Sequence, residues 1–223
     1  MPRVDTKTRI LDVAEQLFAE HGFNDTSLRM ITSAAEVNLA SVNYHFGSKK
    51  SLIQAVLARY LDVFMPNIRS AMEQLSEAGQ PLAMPEVMSG CVAPLLALDS
   101  SFERGTATFM QLLGRGYTEK QGHLRRFITE QYGDALQAFM ATVRLATPGV
   151  PDNELFWRLH FTLGTIVFTM ASSTALSEIA ESDFGEKNSM ESLIHRLVPY
   201  LAAAMTAPLP TVKQPSQSAA SAA

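Results

Sequence analysis

Apolar residues along this 223-residue chain recur at three- and four-residue intervals, and no stretch of useful length alternates apolar with polar as a strand does. Ile10, Ala14, Leu17 and Phe18 share one face of a helix predicted over residues 6–22, where Gly22 suits a left-handed cap. A short helix follows over 27–35 with Thr26 as its N-cap, and Asn38 caps another short helix through residue 45. Gly47-Ser48 breaks the chain before a long helix over 49–76, in which Pro66 predicts a kink.

Gly79, Pro81 and Pro85 mark a change of style. Beyond them Leu124, Ile128, Tyr132, Leu136, Phe139 and Val143 form a helical stripe closed by Pro148-Gly149. Asp152 is the expected cap of the next helix, which is apolar almost all round to Leu176. Met190, Leu193, Ile194, Leu197, Val198 and Leu201 make the seam of a last helix, bent at Pro199. The pattern predicts an all-α chain. Its parts are an N-terminal three-helix bundle over 4–64, a larger helical domain over 65–206, and a Pro/Ser/Ala tail over 207–223 expected to be disordered.

Residues 159–177 carry no formal charge, a run close to the ~20 residues that span a bilayer. Eight of those 19 are His, Thr or Ser, and Arg158 and Glu178 bracket them, so a buried or interface helix is expected and no membrane association.

Hydrophobic residues at 47% against 18% charged supply ample material for a core and exclude disorder over most of the chain. Cys91 is the single cysteine, which excludes an internal disulfide and a four-cysteine zinc site. The opening MPRVDTKTR has no apolar signal region, so a cytoplasmic location is the expectation. Net charge is −4 but unevenly placed: residues 1–60 hold seven of the 18 basic and six of the 22 acidic side chains. Within residues 27–50 the balance is Arg29, Lys49 and Lys50 against Glu36. An acidic protein can still present one basic face.

The informative stretch is TSLRMITSAAEVNLASVNYHFGSKKSL, residues 26–52. Leu28, Ile31, Ala34, Val37, Val42 and Phe46 are spaced to pack two helices together, leaving Leu39, Ala40, Ser41, Asn43, Tyr44 and His45 to face outward or flank the core. A helix-turn-helix presents a recognition helix to the DNA major groove in this way. Ala40 suits a thymine methyl, Ser41 and Asn43 suit base edges or phosphates, and Tyr44 and His45 suit phosphate oxygens. Ser27, Arg29 and Asn38 flank the same face, and Lys49 and Lys50 lie where a helix N-terminus and two ammonium groups hold a phosphate. An ordinary helical hairpin with exposed polar residues has the same periodicity.

Residues 1–60 resemble the DNA-binding domain of TetR-family repressors, through ILDVAEQLFAEHGF, then TSL, then a segment ending YHF-x-SKxxL. Many members have Leu-Tyr-x-His-Phe in the recognition helix. Here Asn43 stands at the first aromatic position and Tyr44 at the next, which moves the tyrosine–phosphate contact or passes it to Asn43. NLASVNYHFGSKKSLIQAV, QGHLRRF, ELFWRLHF-x-LG and ESDFG are similar to PsrA-type regulators, the long-chain-fatty-acid-responsive branch, with coverage from about residue 8 to 206. The resemblance implies a homodimeric repressor of fatty-acid degradation genes on a palindromic double-stranded DNA operator. Its residues 65–206 then bind ligand and dimerise, and a long-chain fatty acid or its acyl-CoA thioester releases it. A repressor of an efflux or catabolic operon answering to another lipophilic or aromatic molecule is the alternative.

Nine of the eleven methionines and nine of the twelve phenylalanines follow residue 60, which suits either an adaptable acyl tunnel or a plain helical core. Candidate ligand-binding residues are Phe109, Met110, Leu113, Arg115, Tyr132, Trp157, His160, Phe161, Gly164 and Phe168. His160 or Arg115 suits a carboxylate at a tunnel mouth, and His160 equally suits a hydrogen-bonded place at a dimer seam. No GxGxxG, P-loop, nucleophile elbow, HExxH or CxxC occurs, so no catalytic residue, metal or cofactor is expected.

Overall fold

The computed structural model describes residues 5–78, 81–119 and 122–210. Among them lie eleven helices and no strand: α1 Thr6–His21, α2 Leu28–Ala34, α3 Leu39–Phe46, α4 Lys49–Glu77, α5 Met84–Gly90, α6 Val92–Ser101, α7 Gly105–Thr118, α8 Gly122–Ala146, α9 Asp152–Ala171, α10 Ser173–Phe184 and α11 Met190–Met205. The first four residues and the tail from 211 onward fall outside the described residues, so the expected disorder of residues 211–223 does too.

Helices α1 and α3 pack on α4 and α2 packs on α1 and α3, while α5, α6, α7 and α8 lie against α4, with α9 on α7 and α11 across α5 and α9. One hydrophobic core joins the two halves. Ile10, Phe18, Phe23, Ile31, Val42 and Leu52 are buried continuously with Tyr60, Leu61, Phe109, Met110 and Leu112. The Tyr60 ring lies 4.8 Å from Phe102 and stacks on Phe109 at 5.6 Å. A second core, with Ile68, Met72, Met84, Val143, Leu155, Leu201 and Met205, closes the far end. α4 supplies both cores, so tilting it disturbs both.

Helix ends follow local chemistry, with some departures from the sequence reading. Ser27, not Thr26, caps α2 by accepting from Met30 N–H at 3.2 Å. Thr26 is fully buried and its hydroxyl donates to the carbonyls of Gly22 at 2.7 Å and Leu17 at 3.0 Å, so it is spent on closing α1. Ala35 is buried where Ala34 was expected, because it lies four residues after the buried Ile31 and so on the same helix face. α4 runs as one helix through the exposed Pro66. α8 carries a non-helical residue at Tyr132 (φ −126°, ψ 23°), whose hydroxyl donates to Asp62 Oδ1 at 2.7 Å. Burial and that bond push the Tyr132 phenol above its ordinary pKa.

Pro151, extended at φ −62°, precedes the first turn of α9, and Asp152 lies inside that turn, 3.2 Å from Arg144. The uncharged run does not reach Leu176 in one helix: it breaks at Ser172, and α9 and α10 bend by 70°. No single helix among the described residues is long and apolar enough to cross a membrane, although that bent pair is by length and composition.

Arg158 ties α9 to the end of α11. Only 6% exposed, it pairs with Glu154 at 2.8 Å and donates to the carbonyls of Met205 at 2.8 Å and Pro208 at 3.3 Å. The Met205 carbonyl ends α11, where helical oxygens lack internal donors, and Pro208 lies three residues beyond it. Arg158→Ala strands both carbonyls and a half-buried carboxylate, so urea unfolding should show a loss of about 3 kcal/mol, and Arg158→Lys should recover only part of it.

Candidate nucleic-acid interface and effector groove

The α2–α3 unit is a tight helical pair. Its turn runs through Glu36, a non-glycine residue at φ 51°, and Val37 N–H donates to Thr32 O at 3.0 Å to hold the corner. Asn38 caps α3 through Oδ1, accepting from Ser41 N–H at 2.8 Å and from Ser41 Oγ at 3.0 Å. Val42 is buried and Phe46 half-buried, which turns Asn38, Leu39, Ala40, Asn43 and Tyr44 outward. Leu39 is 50% and Tyr44 86% exposed, large values for apolar and aromatic side chains on a free surface. Ser41 is half-buried with its hydroxyl engaged by Asn38, so it is less available to an outside partner than the sequence suggests. His45 is half-buried, its ring 5.1 Å from that of Tyr44 in an edge-on contact.

Beside this face Ser48 caps α4, accepting from Ser51 N–H at 3.1 Å. Lys50 is exposed, while Lys49 Nζ donates to Asn24 O at 3.3 Å. Ser27 and Arg29 are exposed on the neighbouring α2. The structure thus leaves Asn38, Leu39, Ala40, Asn43 and Tyr44 exposed on α3, with Lys50 exposed in the first turn of α4 and no acidic side chain on α3 itself. Such a surface can hold phosphates at its rim and offer small side chains between them.

The expected ligand constellation is not assembled in one cavity. Phe109 is fully buried, wedged between Tyr60 and Phe64. Met110 is buried, Leu113 half-buried, and Tyr132 faces Asp62. Trp157, Phe161 and Phe168 are 55%, 66% and 63% exposed on the outer face of α9, and Gly164 lies with them against open space. This placement follows from helix phase: the buried face of α9 is Leu155, Arg158, Thr162 and Met170, and the aromatics fall on the other side. His160 Nδ1 lies 2.7 Å from Phe156 O, with its ring 4.1 Å from that of Phe156, and Tyr117 of α7 meets it edge-on at 6.1 Å.

Two of the expected residues do meet, in a groove of about 750 Å³ between α1, α7 and α9. Met110 and Arg115 line it with Glu15, Glu20, Ala19 and Val167. Glu15 pairs with Arg59 at 3.0 Å, and Arg59 also reaches Asp12 at 2.8 Å. Burial holds the Glu15 carboxyl above its ordinary pKa, partly offset by Tyr60 and Arg59. Its neighbour Tyr60 is raised too, by burial first and then by the Glu15 charge. Cys91 is pushed up to about 12 by burial alone, and its thiol donates to Val87 O at 3.3 Å. Among the described residues no three His, Cys, Asp or Glu side chains are placed to share a metal ion.

Sequence reasoning missed Glu119 and the backbone it holds. Glu119 Oε1 accepts from Phe23 N–H at 2.9 Å and Oε2 from Asn24 N–H at 2.6 Å, and Arg115 donates to Glu20 O at 3.1 Å. An isolated acid after a Gly-rich helix end carries no local signal of a partner 95 positions away.

Comparison with known proteins fits this arrangement. Residues 10–56 match the family described as bacterial regulatory proteins, tetR family, and residues 90–204 match the one described as tetracyclin repressor-like, C-terminal domain. The chain is similar to the probable HTH-type transcriptional regulator YttP of Bacillus subtilis (strain 168), 31% identical over 74 residues, which cover 33% of this chain and 36% of YttP. It is also similar to the HTH-type transcriptional repressor KstR2 of Rhodococcus jostii (strain RHA1), 41% identical over 56 residues, 25% of this chain and 28% of KstR2. These alignments span about a third of the relatives' own length. A crystal structure of a HlyIIR mutant superposes with a TM-score of 0.58 at 17% identity, covering 91% of this chain and 98% of that one, a likeness of fold.

The raised Glu15 carboxyl sets a pH dependence. A folded-state pKa above the unfolded one means the folded protein releases this proton later than the unfolded chain does. Stability is then lost as pH rises from the ordinary carboxylate value through the raised one. Glu15→Gln removes that loss, so the stability of the variant relative to the parent should improve as pH is raised from 4 toward neutrality in paired urea titrations. A flat difference would place Glu15 in water.

Proposed function

Because this chain belongs to the TetR family of bacterial regulatory proteins, we propose that it is a DNA-binding transcriptional repressor whose α3 enters the major groove of a palindromic operator. The observation that carries this reading is the outward face of Leu39, Ala40, Asn43 and Tyr44 set beside Lys50 and the capped start of α4. Small side chains let the helix backbone sit deep, Asn43 reads an adenine edge, and Tyr44 and Lys50 hold phosphates. With Tyr44 86% exposed, the phosphate contact stays with the tyrosine although it stands one position later than in many members.

The same reading makes the protein a homodimer. Trp157, Phe161 and Phe168 line one face of α9, and Ile179 and Phe184 continue it on α10, all more than half exposed. A row of large apolar side chains is costly to leave in water, and a second copy covers it by two-fold symmetry. Two recognition helices then stand about 34 Å apart, one DNA turn.

The effector is a long-chain fatty acid or its CoA thioester, and the regulated genes are those of fatty-acid degradation. Support comes from the sequence resemblance to the PsrA-type branch and from a Met-rich interior, in which Met65, Met72, Met84, Met88, Met110 and Met170 repack readily around an acyl chain. One observation favours a second reading: Glu15 and Glu20 line the groove between α1, α7 and α9, which suits a lipophilic cation as effector of an efflux or catabolic operon.

The DNA face is tested with duplexes selected from a random pool. Lys50→Ala should weaken binding to selected and random duplexes alike and reduce the salt slope by about 1. Asn43→Ala should instead lower the selected-over-random ratio, and equal losses on both would move Asn43 to the backbone. For the effector, oleate or oleoyl-CoA should dissolve the complex in a gel-shift titration. Dissolution by a lipophilic cation alone would favour the second reading and remove the first.

A further inference from the structure

We infer that Arg115 and Glu119 are positioning residues that fix the reading head to the last turn of α7, so that the end of α7 sets the angle at which α3 meets DNA. The inference rests on α3 being the DNA-reading helix.

Three backbone groups of one turn are held by these two side chains: the Glu20 carbonyl by Arg115, and the Phe23 and Asn24 amides by Glu119. The amides follow Gly22, the residue that closes α1. Both oxygens of one carboxylate are used, which fixes its orientation as well as its distance. Gly22 makes the approach possible. It has φ 87°, and a Cβ built there would lie 2.5 Å from Glu119 Oε1.

The turn so held is rigid on its other side. Thr26 closes it onto Gly22 O and Leu17 O, and Lys49 at the start of α4 donates to Asn24 O. The Phe23 ring packs edge-on against Phe18 at 5.3 Å and shares the core with Ile31 of α2 and Val42, the buried anchor of α3. A displacement of Glu119 is therefore carried by packed atoms through Phe23 to the recognition helix. Arg115 also lines the groove between α1, α7 and α9, so an occupant there touches the joint directly.

The test uses the full chain, its Glu119→Ala and Glu119→Gln variants, a selected palindrome, the same palindrome with half-sites moved one base pair apart or together, and a random duplex. Glu119→Ala should bind the original spacing about ten-fold more weakly. It should hold random duplex as before and discriminate less among the three spacings, with Phe23 and Asn24 amides losing protection from hydrogen exchange. Glu119→Gln, which keeps one acceptor oxygen, should fall between, and it carries the test if the alanine variant does not fold. Unchanged spacing preference, or equal losses on palindrome and random duplex, would overturn the inference while leaving DNA binding intact. A parent chain that retains no duplex at all would instead overturn the DNA-binding reading, and the inference with it.

Discussion

The buried stripe of α4 is shared by both halves of the molecule. Leu52, Ile53, Val56 and Leu57 seal the floor of the three-helix head, Tyr60 and Leu61 pass into the Phe102–Phe109 cluster, and Ile68 and Met72 close the far core. Close-packed interiors transmit displacement, because side chains in contact cannot slide past one another without opening voids. The head and the body therefore cannot move as independent beads. Any relative motion turns on α4 and on the few polar bonds that cross between α7 and the α1–α2 turn.

Those crossing bonds differ in kind from the α4 packing. Apolar contact fixes distance with little regard for direction, whereas a carboxylate bonded to two amides fixes both. The head is thus held at one end by burial and at the other by directed hydrogen bonds. A regulator needs such a joint: firm enough to define the separation of two reading heads, and made of bonds a modest coupling energy can shift.

Charge is distributed to the same end. The outer face of α3 carries no acid, Asp12 and Glu15 of α1 are drawn into pairing with Arg59, and Glu119 is consumed by backbone amides. What remains beside α3 is Lys50, Arg29 and the start of α4 against Glu36 of the α2–α3 turn, a local excess of positive charge on a chain of net charge −4.

Local signals were enough for the helix-turn-helix. Gly22, Asn38, Gly47 and Ser48 end or cap their helices from chemistry held within four residues, and the period of Ile31, Val42 and Phe46 declares which side is buried. The outward side of α3 was legible for that reason. Helix phase in the second half was not: α9 carries large apolar residues almost all round and buries Arg158 and Thr162, so composition alone could not say that Leu155 and Met170 turn inward while Trp157, Phe161 and Phe168 turn outward. The break at Ser172, the burial of Thr26 and the reach of Glu119 to Phe23 and Asn24 were likewise decided by tertiary structure. Each depends on a partner dozens of residues away or on a bend between helices, and a pattern with a range of one helical turn holds no record of either.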